Sequence, residues 1–532
     1  MAEVKTLVID NFQGSMTQYV DGNINSGLSS VLETFGNDPF SKPGNLTWME
    51  QAEQIDPNGD VITDLVVAGK GRMESGIAYV YAVGHTGRLY KIQVNDPTTF
   101  EPDLDNPVLL ATLTAQTPTF TRGGSIDFFG STEQIYIGHD KGVTRIDFDG
   151  TDETFVGTLG SWVQNVPRVL KQFLGKLYTS NGNNLAEIDS TASVTDYSKL
   201  DPAFPTGTQI RDIDVSPDGN YLSSVVSRLT LPDITVTSQD TTTISNSGSF
   251  NFKWNGLDIG YTSYDSFPSF SLVSSTLFGN NQYTFGYDLF GTAVFNPVEK
   301  IITGSDEFAP LPSAVGSNGN FVIYSDPLFY EDHLEVSITF FGSQDREIGT
   351  GYWAPFGQLA TDPETDVIQV PFQLLVSNIG IGASSNGYTN NIFGTSKLYF
   401  STLETSASPT TAYRFYKWSP VPRGLGTAIE GVYQTQTQLF SKKVKIVEVR
   451  IYGEPWVTNN SFTIDLIGSA GNPITNGSKT FTAGSNLTVG DDFALYNPEI
   501  EPTYALGLRV TNVGTVNHTI SKIEIDYTLG GK

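Results

Sequence analysis

The chain has 532 residues, with 30 basic against 57 acidic side chains, a formal charge of −27 and no cysteine. Disulfides, thiolate metal sites and cysteine nucleophiles are excluded, and so acidic a surface repels nucleic-acid phosphates and anionic membranes, so neither is expected as a direct partner. Charged residues are only 16% of the chain, and Ser, Thr, Asn and 53 Gly stand in their place, a composition that favours turns and solvated strand faces over helices.

Residues 1–13 carry Glu3 and Asp10 and lack an apolar core, so no secretory signal is expected there. No apolar run approaches the roughly 20 residues of a membrane-spanning helix. Residues 1–50 are rich in turn formers, as in Asp21-Gly22-Asn23 and Asn37-Asp38-Pro39. They read as an extended N-terminal arm draped over a neighbour, with residues 4–8 closing a ring of sheets as a strand. Helical periodicity is confined to residues 26–34 (SGLSSVLET) and 166–173 (VPRVLKQF), each a turn or two. Nearly everything else alternates with period two and is broken by Gly, Asn, Asp or Pro, the pattern of many short strands.

A weak internal repeat follows. Residues 79–92 (YVYAVGHTGRLYKI), 134–147 (QIYIGHDKGVTRID) and 177–189 (LYTSNGNNLAEID) each place a polar turn between two apolar strands. Their spacing of about 40–55 residues is that of a four-stranded propeller blade. An echo runs from Leu398 (LYFSTLE) through residues 413–418 (YRFYKW). Residues 211–224 (RDIDVSPDGNYLSS) form a hairpin, with Ser216-Pro217-Asp218-Gly219 supplying the preset φ and the glycine that a tight turn requires. Residues 51–430 therefore read as a β-propeller of about six to eight blades, with an insertion near 228–275. From residue 431 the pattern changes. Val447, Val449 and Ile451, then Phe462, Ile464 and Leu466, then Tyr504, Leu506, Leu508 and Val510, then Ile523, Ile525 and Tyr527 form apolar stripes opposite polar ones. That is the signature of a two-layer β-sandwich over 431–532, jelly-roll-like or immunoglobulin-like.

Candidate chemistry is sparse. His85 and His139 occupy matching repeat positions after Gly84 and Gly138, which repetition of a turn explains as well as a metal pair does; His333 has no partner set, and His518 sits in a turn expected to be exposed. Asp147, Asp149 and Asp152, with Glu153 beside them, form a calcium-like turn, and Asp56 to Asp60 a shorter one. Neither completes the twelve-residue calcium loop, so an ordinary Asp/Gly turn competes with the calcium reading. No other cofactor is expected and no catalytic residue is assigned. A propeller glycosidase would need paired carboxylates at the central channel. Tyr261, Tyr264 and Tyr287 are aromatic enough to stack on sugars, and as strand residues they serve equally as core.

The opening IDNFQGSMTQYVDGNINSG with FGNDPFSKPGNLTW, and YQTQTQLFSKKVKIVEVRIYGE at 433–454, resemble segments of structural proteins of tailed bacteriophages, notably propeller-bearing neck, tail-nozzle and hub-like proteins. The 211–224 hairpin is similar to one common in WD40-like and TolB-like propellers. The phage resemblance implies a non-enzymatic virion component, made in the host cytoplasm, whose partners are other virion proteins or further copies in a symmetric oligomer. Two alternatives stay open: a receptor-binding protein gripping a host surface glycan, to which Tyr352-Trp353 would contribute, and a propeller glycosidase.

Overall fold

The computed structural model describes, with side chains, residues 3–12, 42, 44–48, 61–93, 107–120, 124–166, 168–216, 218–228, 252–258, 260, 431–435, 437–469 and 472–529; elsewhere between 31 and 418 it describes strand backbones. Among the described residues there is no α-helix, and 3-10 turns stand only at Leu159–Ser161 and at Ser469. Four separate four-stranded sheets follow one another along the chain, flanked by a five-stranded and a nine-stranded sheet. The nine-stranded sheet is two units meeting at one parallel pair, Phe393 beside Lys70. Counted this way the described residues hold seven antiparallel units of four or five strands, and the protein is an all-β propeller carrying a sandwich.

The first unit runs through Val66–Glu74, Ile77–Gly84, Arg88–Val94 and Asn106–Thr112. The second comprises Ser125–Phe129, Gln134–His139, Gly142–Ile146 and Thr154–Phe155. The third is built from Leu170–Phe173, Lys176–Asn181, Asn184–Ile188 and Val194–Asp196. From the first unit to the fifth, each unit's first strand abuts the first strand of the next, which makes these the strands around the central axis. The units bury near-continuous apolar runs between them. Leu65, Val67, Tyr81, Val83 and Leu89 of the first pack with Ile126, Phe128, Ile135 and Ile137 of the second. Strands covered on both faces lose the strict alternation of a half-solvated sheet.

Two repeat glycines are set by this packing. A Cβ on Gly84 would lie 2.1 Å from a carboxylate oxygen of Asp64, and one on Gly138 would lie 2.8 Å from the backbone oxygen of Arg168. The Gly-His pairs of the repeat thus mark where the segment leading into a first strand crosses the end of a second strand.

The ring closes through Glu53–Ile55, which pairs with the last propeller strand, Thr411–Trp418. The expectation that residues 4–8 close it is corrected: Val4–Ile9 pairs antiparallel with Thr519–Leu529 in the sandwich. The reason is its burial pattern, which turns Leu7 and Ile9 toward the sandwich core and leaves Val4, Thr6 and Val8 outside. The arm is likewise not draped over a neighbour where it is described, because Phe12, Leu46 and Trp48 are buried in the same chain's sandwich. Both helical expectations fail, since Val31–Phe35 and Leu170–Phe173 are strands. The insertion near 228–275 is corrected in part: Ser249–Trp254 and Ser263–Phe267 are the outer strands of the fourth unit, beyond Gln209–Val215 and Leu222–Ser227. Residues 229–248 lie outside the described residues.

The sandwich assembles Gly431–Thr435, Gln438–Gly453, Ser461–Ile467, Pro473–Thr482, Phe493–Tyr496, Thr503–Asn512 and Thr519–Leu529. Strand Thr503–Asn512 serves both layers. Its start pairs with Gln438–Gly453 and its end with Gly431–Thr435 and Ser461–Ile467. One core cluster lies between the layers, with Val449, Ile451, Ile523 and Ile525 facing Phe462, Ile464, Leu508 and Val510. The stripe of the long strand needs one correction. A register shift between Ile446 and Glu448 turns Val447 outward, at 41% exposure, and Ile446 inward. A β-bulge inserts one residue and so moves the following side chains to the other face.

Candidate functional site

The strands around the axis are tied across unit boundaries by polar side chains. Lys70 of the first unit forms an ion pair with buried Asp127 of the second. Gln172 of the third donates its amide to Asp127 Oδ1 at 3.0 Å and to the Phe128 carbonyl at 2.6 Å. Lys171 reaches Asp214 of the fourth unit at 3.5 Å. Farther along the first unit, Glu74 accepts from Arg72 at 2.9 Å, from Lys91 at 2.7 Å and from the Tyr81 hydroxyl. Arg72 also pairs with Glu133 of the second unit and lies over the Phe148 ring at 3.6 Å. Burial alone raises the Glu74 carboxyl, but the hydrogen bonds from Lys91, Tyr81 and Arg72 hold it below its ordinary value.

Glu187 repeats the theme in the third unit. Lys199 Nζ sits 2.7 Å from its Oε2, Thr195 donates at 2.8 Å and Tyr178 at 3.0 Å. Burial works against the charge, yet these donors bring its pKa down to about 2. Every carboxyl among the described residues with a resolved shift moves downward: Glu74, Asp149, Glu187, Asp189, Asp218 and Glu524. A general acid for glycoside cleavage needs the reverse, a carboxyl held protonated by an apolar or like-charged setting.

The calcium-like turn is occupied by its own chain. Asp149 Oδ1 accepts from the Thr151 amide at 2.9 Å and hydroxyl at 2.6 Å, and Asp147 accepts from Gln134. Glu153 reaches back to the first unit, taking the amides of Thr114 and Ala115, each at 2.7 Å. Asp152 holds the turn with a left-handed φ of 56°. No group of three or more potential metal-binding side chains gathers among the described residues, so Asp147, Asp149 and Asp152 are not brought together as a ligand set. The Asp189 turn, in which Oδ1 takes the Thr191 amide at 2.8 Å and the Ser193 amide at 3.0 Å, has the same construction one unit later. Hence the motif is the blade's own turn. Residues 56–60 lie outside the described residues.

The histidines play separate parts. His85 pairs with buried Asp64, which also accepts the Thr86 hydroxyl at 2.6 Å. His139 is fully buried, shares a hydrogen with Thr144 at 3.0 Å, and is pushed down to about 3 by burial, with Arg168 and Lys141 adding to the effect. Arg168 itself is buried without a carboxylate in ion-pair range among the described residues. It donates to the Ser180 carbonyl at 2.6 Å and to that of Val163, and lies 4.7 Å from the Trp162 ring. Burial lowers it to about 9, with Asp140 acting in the opposite sense.

His518 is the clearest departure from expectation, because it is buried rather than exposed. Trp48 Nε1 donates to its Nε2 at 2.9 Å. An indole only donates, so Nε2 is the acceptor and the imidazole is neutral with its proton on Nδ1. The rings of Trp48, Trp456 and Phe462 surround it, and burial holds its pKa at about 4. Asn517 accepts the Trp48 amide at 3.0 Å and donates to the Trp48 carbonyl. The node sutures an N-terminal residue to the last strand of the chain. Sequence reasoning missed it because neither Trp48 nor His518 sits in a periodic stripe. His333 lies in strand His333–Phe341, Tyr264 in Ser263–Phe267, Tyr287 in Asn281–Tyr287, and Tyr352 and Trp353 in Arg346–Trp353; their side chains, and all of Tyr261, lie outside the described residues.

These features define a β-propeller joined to a β-sandwich, in which polar side chains among the described residues tie strands and neighbouring blades together. No protein-family profile and no curated protein matches the chain. Among solved structures it is similar to a chain of the mitotic checkpoint complex at 10% identity and a TM-score of 0.41, covering 72% of this chain and 98% of that one. The extracellular domain of the one-component system BT4673 from Bacteroides thetaiotaomicron aligns at 11% identity and a TM-score of 0.38, over 90% and 61%. The β-propeller domain of Cps50 (Swd1) from Myceliophteria thermophila does so at 11% and 0.25, over 40% and 64%. Scores this low carry no argument about function, and the propeller assignment rests on this chain's own sheet order.

Proposed function

We propose that the protein is a non-enzymatic structural component of a tailed-phage virion, located at the neck or tail or on the capsid, that works through symmetric protein–protein contacts. The observation that carries this reading is the fate of the polar groups. Among the described residues, each carboxylate with a displaced pKa is displaced downward and held by cations, hydroxyls or amides of its own sheet or the next. Such groups latch a scaffold and have no proton to give at neutral pH. The opening of the chain and residues 433–454 supply the virion part of the reading by their resemblance to phage structural proteins. The second of these stretches spans Tyr433 and the whole long sandwich strand.

Mass photometry of the purified full chain tests the reading, alongside binding and cleavage assays on a host-glycan panel. Discrete assemblies with no sugar cleavage are expected. A monomer that cleaves glycans would overturn the reading in favour of a propeller glycosidase. Glycan binding by a monomer, without cleavage, would move the protein to the receptor-binding class.

A further inference from the structure

We propose that a lysine-bearing bulge on the sandwich docks onto the acidic propeller of a second copy of this chain, giving a head-to-tail contact; this rests on the reading of the protein as an assembly component and names its partner surface. The bulge lies in the long strand Gln438–Gly453. Its pairing with Thr503–Asn512 passes from Leu439↔Ala505 directly to Val444↔Thr503, so residues 440–443 face the single residue Tyr504. Extra residues that cannot join a ladder are pushed out of the sheet. The bulge and the strand beyond it present Lys442, Lys443 and Lys445, all exposed, beside Leu439 at 59% exposure, Tyr504 at 54% and Val447 at 41%. Lys443 leans over the Tyr504 ring at 5.6 Å, and Val4, at 53% exposure, shares a cross-strand row with Lys445 through Thr528.

These three lysines differ from Arg450 and Lys522 of the same sheet, while Lys5 and Lys479 stand singly on other strands. Arg450 pairs with Asp526 at 2.8 Å and Glu524 at 3.3 Å, and Lys522 pairs with Glu524 at 3.0 Å. No carboxylate among the described residues pairs with Lys442, Lys443 or Lys445, in a chain that has 57 to offer. The charge is also divided unevenly along the chain. Residues 431–532 hold eight basic and nine acidic residues, which leaves 22 basic and 48 acidic residues to 1–430. Two propellers repel each other, whereas the nearly neutral segment 431–532 with its unpaired basic bulge is attracted to one. The complementary surfaces are different parts of the same molecule, so the contact is heterologous, and its rotation decides between a closed ring and an open array.

Sedimentation velocity of the full chain at about 50 mM and about 500 mM salt tests this, comparing wild type with K442E/K443E/K445E and with K442R/K443R/K445R. Association at low salt that weakens at high salt is expected, together with a loss of at least about tenfold in the Glu variant and retention in the Arg variant. The substituted side chains are exposed, and an unchanged melting temperature verifies the fold; a Gln triple variant replaces the Glu variant if it does not fold. Mixing wild type with labelled Glu variant gives a mixed species in a head-to-tail contact, because the variant keeps its acidic propeller. Absence of mixed species, while wild type alone still associates, overturns the proposal in favour of a two-fold contact. A Glu variant that assembles like wild type removes this surface and leaves the assembly reading intact. A monomeric wild type at low salt removes both.

Discussion

Acid should loosen the sandwich through His518. The folded state holds this imidazole neutral, with Nε2 accepting from Trp48 and a pKa near 4, against an ordinary value of 6.5. The unfolded chain takes up a proton as pH falls through 6.5 and the folded chain does not, so stability falls with pH across the window from 6.5 to about 4. The displacement corresponds to roughly 3 kcal/mol lost across that window. His518→Gln keeps an oxygen that accepts the Trp48 indole proton but has nothing to titrate. The assay is amide hydrogen exchange by mass spectrometry, following residues 44–48 and 519–529 from pH 7 to pH 4, with rates corrected for intrinsic exchange. Wild type is expected to lose protection at both segments relative to H518Q, because the two are joined at this node. The Lys42–Glu454 pair, whose lysine also bonds the neighbouring Thr519, is present in both proteins and cancels in the difference. Parallel pH profiles in the two proteins would refute the reasoning.

Further outcomes follow from the blade junctions. Gly138→Ala places a Cβ 2.8 Å from the Arg168 backbone oxygen and should cost about 1–3 kcal/mol, read as a lower midpoint in urea. Arg168→Met removes the buried donors to the Ser180 and Val163 carbonyls and should destabilise by about 1–3 kcal/mol; a neutral effect by the same measurement would show that the guanidinium is not a latch. Glu187→Gln should flatten the acid limb of propeller unfolding, since a carboxylate with a pKa near 2 contributes stability above its ordinary value that is lost as pH falls toward 2. Calcium or chelator should leave the melting temperature unchanged, because Asp149 and Glu153 already accept from their own chain; a rise of several degrees with calcium would restore the ligand reading.

The sequence made period-two features plain and hid those that depend on distant partners. Phe462, Ile464 and Leu466 alternate without interruption, and all three are core. Val447 reads as part of the same kind of stripe, but a bulge leaves no trace in an apolar-polar pattern, so its outward turn is invisible until the register is known. The hairpin around Ser216 and Gly219 was legible because its chemistry is local: the Gly219 amide bonds the Ser216 carbonyl at 2.8 Å, and Gly219 has a φ of 68°. Closure of the ring was misassigned because Val4–Ile9 and Glu53–Ile55 are both short strands, and only a partner hundreds of residues away tells them apart. The turn carrying Asp147, Asp149 and Asp152 looked like a cation loop because Asp-x-Thr turns use the same side chains to bind amides.

The pairing of Trp48 with His518 has a consequence for synthesis at the ribosome. The two residues are 470 positions apart, and at about 5–20 residues per second the indole waits roughly 20–90 s for its acceptor to be made. The propeller's closing strand, Glu53–Ile55, waits nearly as long for Thr411–Trp418. Throughout that interval the nascent chain exposes an unclosed ring and unmatched aromatic side chains, a state open to chaperones or to a neighbouring nascent copy. Synthesis of residues 411–418 and 518, rather than emergence of the first strands, is therefore the event that lets the ring and the sandwich close.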